Sequence, residues 1–175
     1  MIRKIYFILI LASALTSIQC DRAAGSDPPS SNGGNDDSTT YLIVDVKDGD
    51  TIELDNAETI RLVGIDTPEM NYGSTPEPCA VEATEYTETS ALGKRCYLVY
   101  NIPVGDSLDI YGRTLAFVHI LPGSTCLNIE ICRAGWSEDW DSFPVRSDYE
   151  LQFEQAETEA MNADRGIWDT TNNCD

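Results

Sequence analysis

The chain has 175 residues, 42% of them hydrophobic, with 30 acidic against 11 basic side chains and a formal net charge of −19 at pH 7. That length fits one domain with additions, and that charge excludes the long-range pull on nucleic acid that a basic surface exerts. The six cysteines show neither C-x-x-C nor Cys/His spacing, which argues against a zinc site.

Met1–Cys20 opens with Arg3 and Lys4 and runs apolar from Ile5 to Leu15. A basic start before a short apolar run reads as an export signal; a membrane-spanning helix needs roughly 20 apolar residues. Ser17-Ile18-Gln19-Cys20 resembles a bacterial lipoprotein cleavage box, so Cys20 is the candidate for a lipid anchor and the cell envelope the expected location. Gln19 stands where a small residue is expected, which leaves ordinary cleavage and free secretion as the alternative. Residues 21–40 lack apolar periodicity and read as a flexible acidic linker.

Residues 41–175 are the expected folded domain. Three basic residues (Arg3, Lys4, Arg22) and four acidic ones (Asp21, Asp27, Asp36, Asp37) precede it, leaving 26 acidic against 8 basic and a net of −18. Tyr41–Val46 is β-branched and apolar and predicts a strand. Asp48-Gly49 is a hairpin signal, Thr51–Leu54 a second strand and Thr59–Ile65 a third. Pro68, Gly73, Pro76 and Pro78 mark a loop. Ala80–Leu92 predicts a helix with Ala80, Ala83, Thr87 and Ala91 on one side, closed by Gly93. Cys96–Tyr100 and Arg113–Ile120 predict two more strands. Ser124–Ala134 predicts a short helix. Ser147-x-x-Glu150 is a capping box heading a longer one, with Tyr149, Phe153, Ala156 and Ala160 at helical spacing and Arg165-Gly166 at its end. Five strands with a helix between the third and fourth suggest a small closed barrel. Five cysteines in the domain leave at least one thiol unpaired unless Cys20 joins them.

The chemistry-bearing residues fall at strand ends. Asp50 closes the first hairpin, Asp66-Thr67-Pro68-Glu69 follows the third strand, Arg61 interrupts that strand and Arg113 begins the fifth. Two carboxylates and a backbone carbonyl make a hard oxygen site for Ca²⁺ or Mg²⁺. Two guanidiniums can each grip a phosphate bidentately, and a further carboxylate can position or deprotonate water. Metal, base and two charge clamps suffice for phosphodiester hydrolysis. Each feature alone has a plain reading: Asp-Gly-Asp as a turn, Thr-Pro-Glu as a loop, a strand Arg as a surface residue.

Together, Val46-Lys47-Asp48-Gly49-Asp50-Thr51, Ile60–Glu69 (Ile-Arg-Leu-Val-Gly-Ile-Asp-Thr-Pro-Glu) and Asp109-Ile110-Tyr111-Gly112-Arg113 closely resemble the three signatures of the staphylococcal nuclease (thermonuclease-like) family, in order and at similar separations. Leu127-Asn128, Ala134-Gly135-Trp136 and Arg165-Gly166-Ile167-Trp168 look like further family landmarks, and the resemblance spans Tyr41 to Trp168. It implies an α+β fold, a five-stranded OB-fold barrel with three helices. It also implies a Ca²⁺-dependent endonuclease acting on DNA or RNA, expected as a monomer. Carried onto this chain, Asp50 and Asp66 would ligate the metal through carboxylates and Thr67 through its carbonyl. Glu69 would act on the attacking water, and Arg61 and Arg113 would hold the phosphate. The departures concern substrate: Met70–Val81 contains no Lys or Arg, and Ser137–Phe143 is acidic, with Trp140 and Phe143 placed either to stack a base or to pack. His119 has no partner motif and reads as a packed strand residue. The alternative class is a non-catalytic OB-fold module that binds nucleic acid or serves at the cell surface.

Overall fold

A computed structural model describes residues 39–101, 107–139, 144–171 and 174. The export signal, Cys20, the linker up to residue 38, Trp140 and Phe143 lie outside the described residues. In chain order the elements are strands β1 (Tyr41–Asp48), β2 (Thr51–Leu54), β3 (Thr59–Leu62) and β4 (Ile65–Asp66), then helix α1 (Ala80–Ala91). Strands β5 (Arg95–Tyr100), β6 (Thr114–Ile120) and β7 (Thr125–Cys126) follow, then α2 (Leu127–Arg133), β8 (Glu138–Asp139), α3 (Ser147–Asn162) and a 3₁₀ turn at Gly166–Trp168.

The main sheet runs β3-β2-β1-β5-β6-β7, and β3 also pairs with β6 in parallel, Ile60 opposite Thr114 and Leu62 opposite Ala116. That extra pairing closes five strands into a barrel and removes the free edges an open sheet would leave. Ile43, Val46, Ile52, Leu54, Ile60, Leu62, Ala116 and Val118 share the inner face and fill it, while Val99 and Phe117 lie on the face covered by α3. β1 departs from simple alternation: Val44 and Asp45 both face out while Ile43 and Val46 are buried, because the register against β2 shifts between Ile43 and Asp45. Such a bulge bends the strand and lets it wrap a small barrel.

α1 buries Ala80, Ala83, Thr84, Thr87 and Ala91, small side chains that let the helix lie close to the barrel wall. α2 carries the fully buried Asn128, whose Oδ1 accepts from Val118 N–H at 3.0 Å and whose Nδ2 donates to Val63 O (2.9 Å) and Ala116 O (3.1 Å). Both donors of that amide are used and its oxygen accepts a backbone N–H, so no end of the buried group is left unpaired, which explains the Leu127-Asn128 landmark. α3 buries Tyr149, Phe153, Ala156 and Ala160, with Tyr149 stacked on Phe117 at 3.8 Å between centroids.

Several local expectations are corrected. The third strand stops at Leu62 rather than Ile65, because the chain turns at Gly64 (φ +78°), where a β-carbon would lie 2.6 Å from the Phe153 ring. Only glycine fits there, and the turn sends Ile65–Asp66 out of the barrel to pair with Glu138–Asp139. The helix expected from Ser124 starts at Leu127, since Thr125 and Cys126 pair with β6. Ser147 makes no capping bond: Arg146 occupies the N-cap position and its guanidinium pairs with Asp148 at 2.8 Å. That helix ends at Asn162, short of Arg165-Gly166. Cys79 and Cys174 form a disulfide, in which Cys96, Cys126 and Cys132 take no part. His119 is a packed residue: it stacks on Tyr97 and its Nε2 bonds the Tyr149 hydroxyl at 2.8 Å.

Candidate active site

The β1–β2 turn consists of Gly49 and Asp50, one residue later than the Asp-Gly pair suggests. Glycine is required at 49 for a different reason: a β-carbon there would lie 2.5 Å from Thr67 Oγ1. The turn is thereby laid against the segment that follows β4. Thr87 of α1 secures it from the other side, donating to Gly49 O at 2.7 Å.

Asp50 consequently points inward, 1% exposed. Its Oδ2 accepts from the Thr67 backbone N–H (3.0 Å), from the Thr67 hydroxyl (3.3 Å) and from Arg61 Nη2 (3.0 Å), while Oδ1 accepts from Thr51 Oγ1 at 3.0 Å. Burial pushes the Asp50 carboxyl up to about 7, against the pull of Arg61. Asp66 is half exposed and lies 2.8 Å from the same Arg61 Nη2. Its backbone N–H is fixed by the fully buried Ser137 hydroxyl at 2.8 Å. The other arm of Arg61, Nη1, donates to Leu62 O and Ile65 O, both at 2.8 Å, and braces the turn between β3 and β4.

Glu69 completes an acidic triad: Asp50, Asp66 and Glu69 each place a carboxylate oxygen within 4.8 Å of the others. Burial and the neighbouring Asp48 raise the Glu69 carboxyl above its ordinary range. The loop behind Glu69 is closed by two bonds at 3.0 Å, Glu69 N–H to Glu77 Oε2 and Glu77 N–H to Glu69 O. An oxygen-only donor set of this charge fits a hard divalent cation and not a soft one.

Arg113 approaches from the loop before β6. Asp109 caps that loop, its Oδ1 accepting from the Tyr111 and Arg113 N–H groups (2.9 and 2.8 Å) and its Oδ2 from Arg113 Nε at 2.6 Å. Although burial raises it, these bonds hold the Asp109 carboxyl below its ordinary range. Arg113 Nη1 also donates to Thr51 Oγ1 at 3.1 Å, and its guanidinium carbon lies 5.4 Å from the Tyr111 ring centre.

Arg61, Asp66, Glu69, Asp109, Tyr111 and Arg113 line one cleft of about 490 Å³. All six residues singled out in the sequence therefore gather in one region: Asp50, Arg61, Asp66 and Thr67 interlock, Glu69 stands within 4.8 Å of both aspartates, and Arg113 joins Asp50 through Thr51. Sequence reasoning did not single out Thr51, Asp109 and Ser137. Thr51 and Asp109 sat inside the quoted signatures, whereas Ser137 carried no local signal, because its partner Asp66 is 71 residues away.

A closed five-stranded barrel with three helices, and with three carboxylates and two arginines at one rim, is the class of protein that fold and site define. A family model described as "Staphylococcal nuclease homologue" matches residues 59–170. A protein named "Thermonuclease" from Staphylococcus intermedius is 31% identical over 166 residues, covering 93% of this chain and 95% of its own. Another "Thermonuclease", from Staphylococcus hyicus, is 31% identical over 133 residues, 74% of this chain and 75% of that one. A "Probable endonuclease LCL3" from Schizophyllum commune is 28% identical over 122 residues, 62% of this chain and 39% of that protein. The chain belongs to the staphylococcal nuclease family.

Proposed function

We propose that this protein is an exported, Ca²⁺-dependent endonuclease that hydrolyses phosphodiester bonds of DNA or RNA. The observation that carries the reading is the convergence of Asp50, Asp66 and Glu69 within 4.8 Å of one another, with Arg61 paired to both aspartates. The relatives named thermonuclease support it. Asp50 and Asp66, with the Thr67 carbonyl, would hold the cation. A bound divalent cation supplies Lewis-acid charge to a phosphoryl oxygen. Glu69, with its raised carboxyl, orients the attacking water and accepts its proton. Arg113 and Arg61 grip the phosphate and match charge developing in the transition state.

The substrate must overcome a domain of net charge −18, so affinity depends on the cation and falls steeply with salt. Ile110 and Tyr111, 91% and 78% exposed beside the arginines, offer apolar and aromatic surface where Met70–Val81 provides no cation. A stacked base contributes about 1–3 kcal/mol. Residues 1–20 act as the export signal, Cys20 as the lipid anchor, residues 21–40 as the tether and residues 41–175 as the nuclease domain, working as a monomer.

Asp50→Ala tests the reading. The variant should lose Ca²⁺-dependent cleavage and the Ca²⁺-induced rise in Tm while its circular dichroism stays that of the parent. Near-parental turnover in Ca²⁺ would sink the metal assignment.

A pH effect follows from the same carboxyl. Burial raises Asp50 from an unfolded value near 3.8 to about 7, so between those limits the folded state holds a proton the unfolded chain has lost. Stability without metal therefore falls as pH rises through that window. In chelator, Tm should decline from about pH 4 to 7 more steeply for the parent than for Asp50→Ala. Equal slopes would show that Asp50 does not titrate as its burial demands.

A further inference from the structure

The two oxygens of Asp50 keep different company. Oδ2 takes the bonds from Thr67 and Arg61, whereas Oδ1 accepts from the Thr51 hydroxyl at 3.0 Å. Thr51 Oγ1 in turn accepts from Arg113 Nη1 at 3.1 Å. A hydroxyl has one proton and two lone pairs. With Asp50 ionised, as holding a cation requires, the carboxylate can only accept and the guanidinium can only donate, so the direction of both bonds is forced. The relay Arg113–Thr51–Asp50 ends in opposite charges, and each of its bonds polarises the other. Thr51 itself is 4% exposed and sits opposite Arg61 in the β2–β3 ladder.

We infer that Thr51 is a positioning residue whose hydroxyl locks the Asp50 carboxylate to the Arg113 guanidinium, so that the metal-ligating and phosphate-gripping groups keep one geometry. The inference rests on the hydrolytic reading of this site. It differs from a packing role in what substitution does. Valine keeps the shape of threonine and removes the hydroxyl; serine keeps the hydroxyl and removes the methyl group.

The experiment compares Thr51→Val and Thr51→Ser in two readouts: the Ca²⁺ concentration giving half the maximal Tm rise without substrate, and kcat and KM for a short oligonucleotide at saturating Ca²⁺. Hydrogen bonds to charged groups are strong enough that losing the relay should cost about tenfold or more. Thr51→Val should therefore raise the Ca²⁺ requirement and lower kcat by at least about tenfold each, with KM moving less, and Thr51→Ser should restore both. Parental behaviour of Thr51→Val, or equal damage from Val and Ser, overturns the inference. Should the valine variant fail to fold, Thr51→Ala supplies the same contrast against serine. Asp50→Ala and Arg113→Ala run alongside. If both keep parental activity, the hydrolytic reading falls and this inference with it; if both are crippled while Thr51→Val is not, only the role of Thr51 falls.

Discussion

Replacing Arg113 with alanine is expected to lower kcat for oligonucleotide cleavage by about 10²–10³ at saturating Ca²⁺, the effect of removing one transition-state charge donor, about 2.7–4 kcal/mol. Fold stability should change little, because the partners of the guanidinium among the described residues are Asp109, Thr51 and the Tyr111 face, all at the site rather than in the barrel core. Lysine should rescue poorly, since a point charge cannot reproduce the planar fork that holds Asp109 and a phosphate together. Arg61→Ala should lose activity to a similar degree and stability as well. Arg61 is 5% exposed, and it bridges Asp50 and Asp66 while bracing the Leu62 and Ile65 carbonyls. Removing one partner of a buried ion pair costs about 3–5 kcal/mol. Lys94 and Arg95 bond to Ser90 O and Thr40 O and do not line the cleft, so Lys94→Ala and Arg95→Ala should leave kcat within a few-fold of the parent. Comparable losses from all four substitutions would mean that only diffuse charge matters.

Opening the Cys79–Cys174 disulfide should destabilise the domain by about 2–5 kcal/mol. The bridge spans 95 positions of sequence, and on the chain-entropy view closing a loop of about 100 residues removes roughly 4.7 kcal/mol of unfolded-state freedom. It also ties the C-terminus to Cys79, the N-cap of α1, just past the loop that carries Glu69 and Glu77. At about 3 °C per kcal/mol for a domain of this size, reduction should lower Tm by roughly 10 °C. The Cys79→Ala/Cys174→Ala double variant should match the reduced parent and be indifferent to reductant. The remaining thiols do not confuse the result: Cys96, Cys126 and Cys132 stand outside the bridge, and burial pushes Cys96 and Cys126 up to about 11, where little thiolate exists to exchange. A Tm unmoved by reduction, with the bridge shown open by thiol titration, would contradict this role.

The barrel was legible because its strands carry their own periodicity and each hydrophobic run ends at a turn residue. The site was legible because Asp50, Arg61, Asp66, Glu69 and Arg113 stand in or beside strands that a closed barrel must bring to one rim. What local pattern could not show was long-range. Gly64 ends β3 for the sake of Phe153, which lies 89 positions later in the sequence, and Gly49 is small for the sake of Thr67. Ser147-x-x-Glu150 has the letters of a capping box, yet Arg146 pairs with Asp148 and the helix begins without that bond. The cysteine count offered many pairings, and only the fold brings Cys79 and Cys174 together.

The central claim is most directly tested by incubating the purified protein with an end-labelled single-stranded oligonucleotide in Ca²⁺, in excess chelator, and after Ca²⁺ is restored, with Arg113→Ala as the folded control. The site described here predicts internal cleavage in Ca²⁺, none in chelator, recovery on restoring the ion, and cleavage at least about a hundredfold slower by the variant. Intact oligonucleotide in Ca²⁺ with a folded parent protein, or cleavage that chelator leaves undiminished, would contradict it.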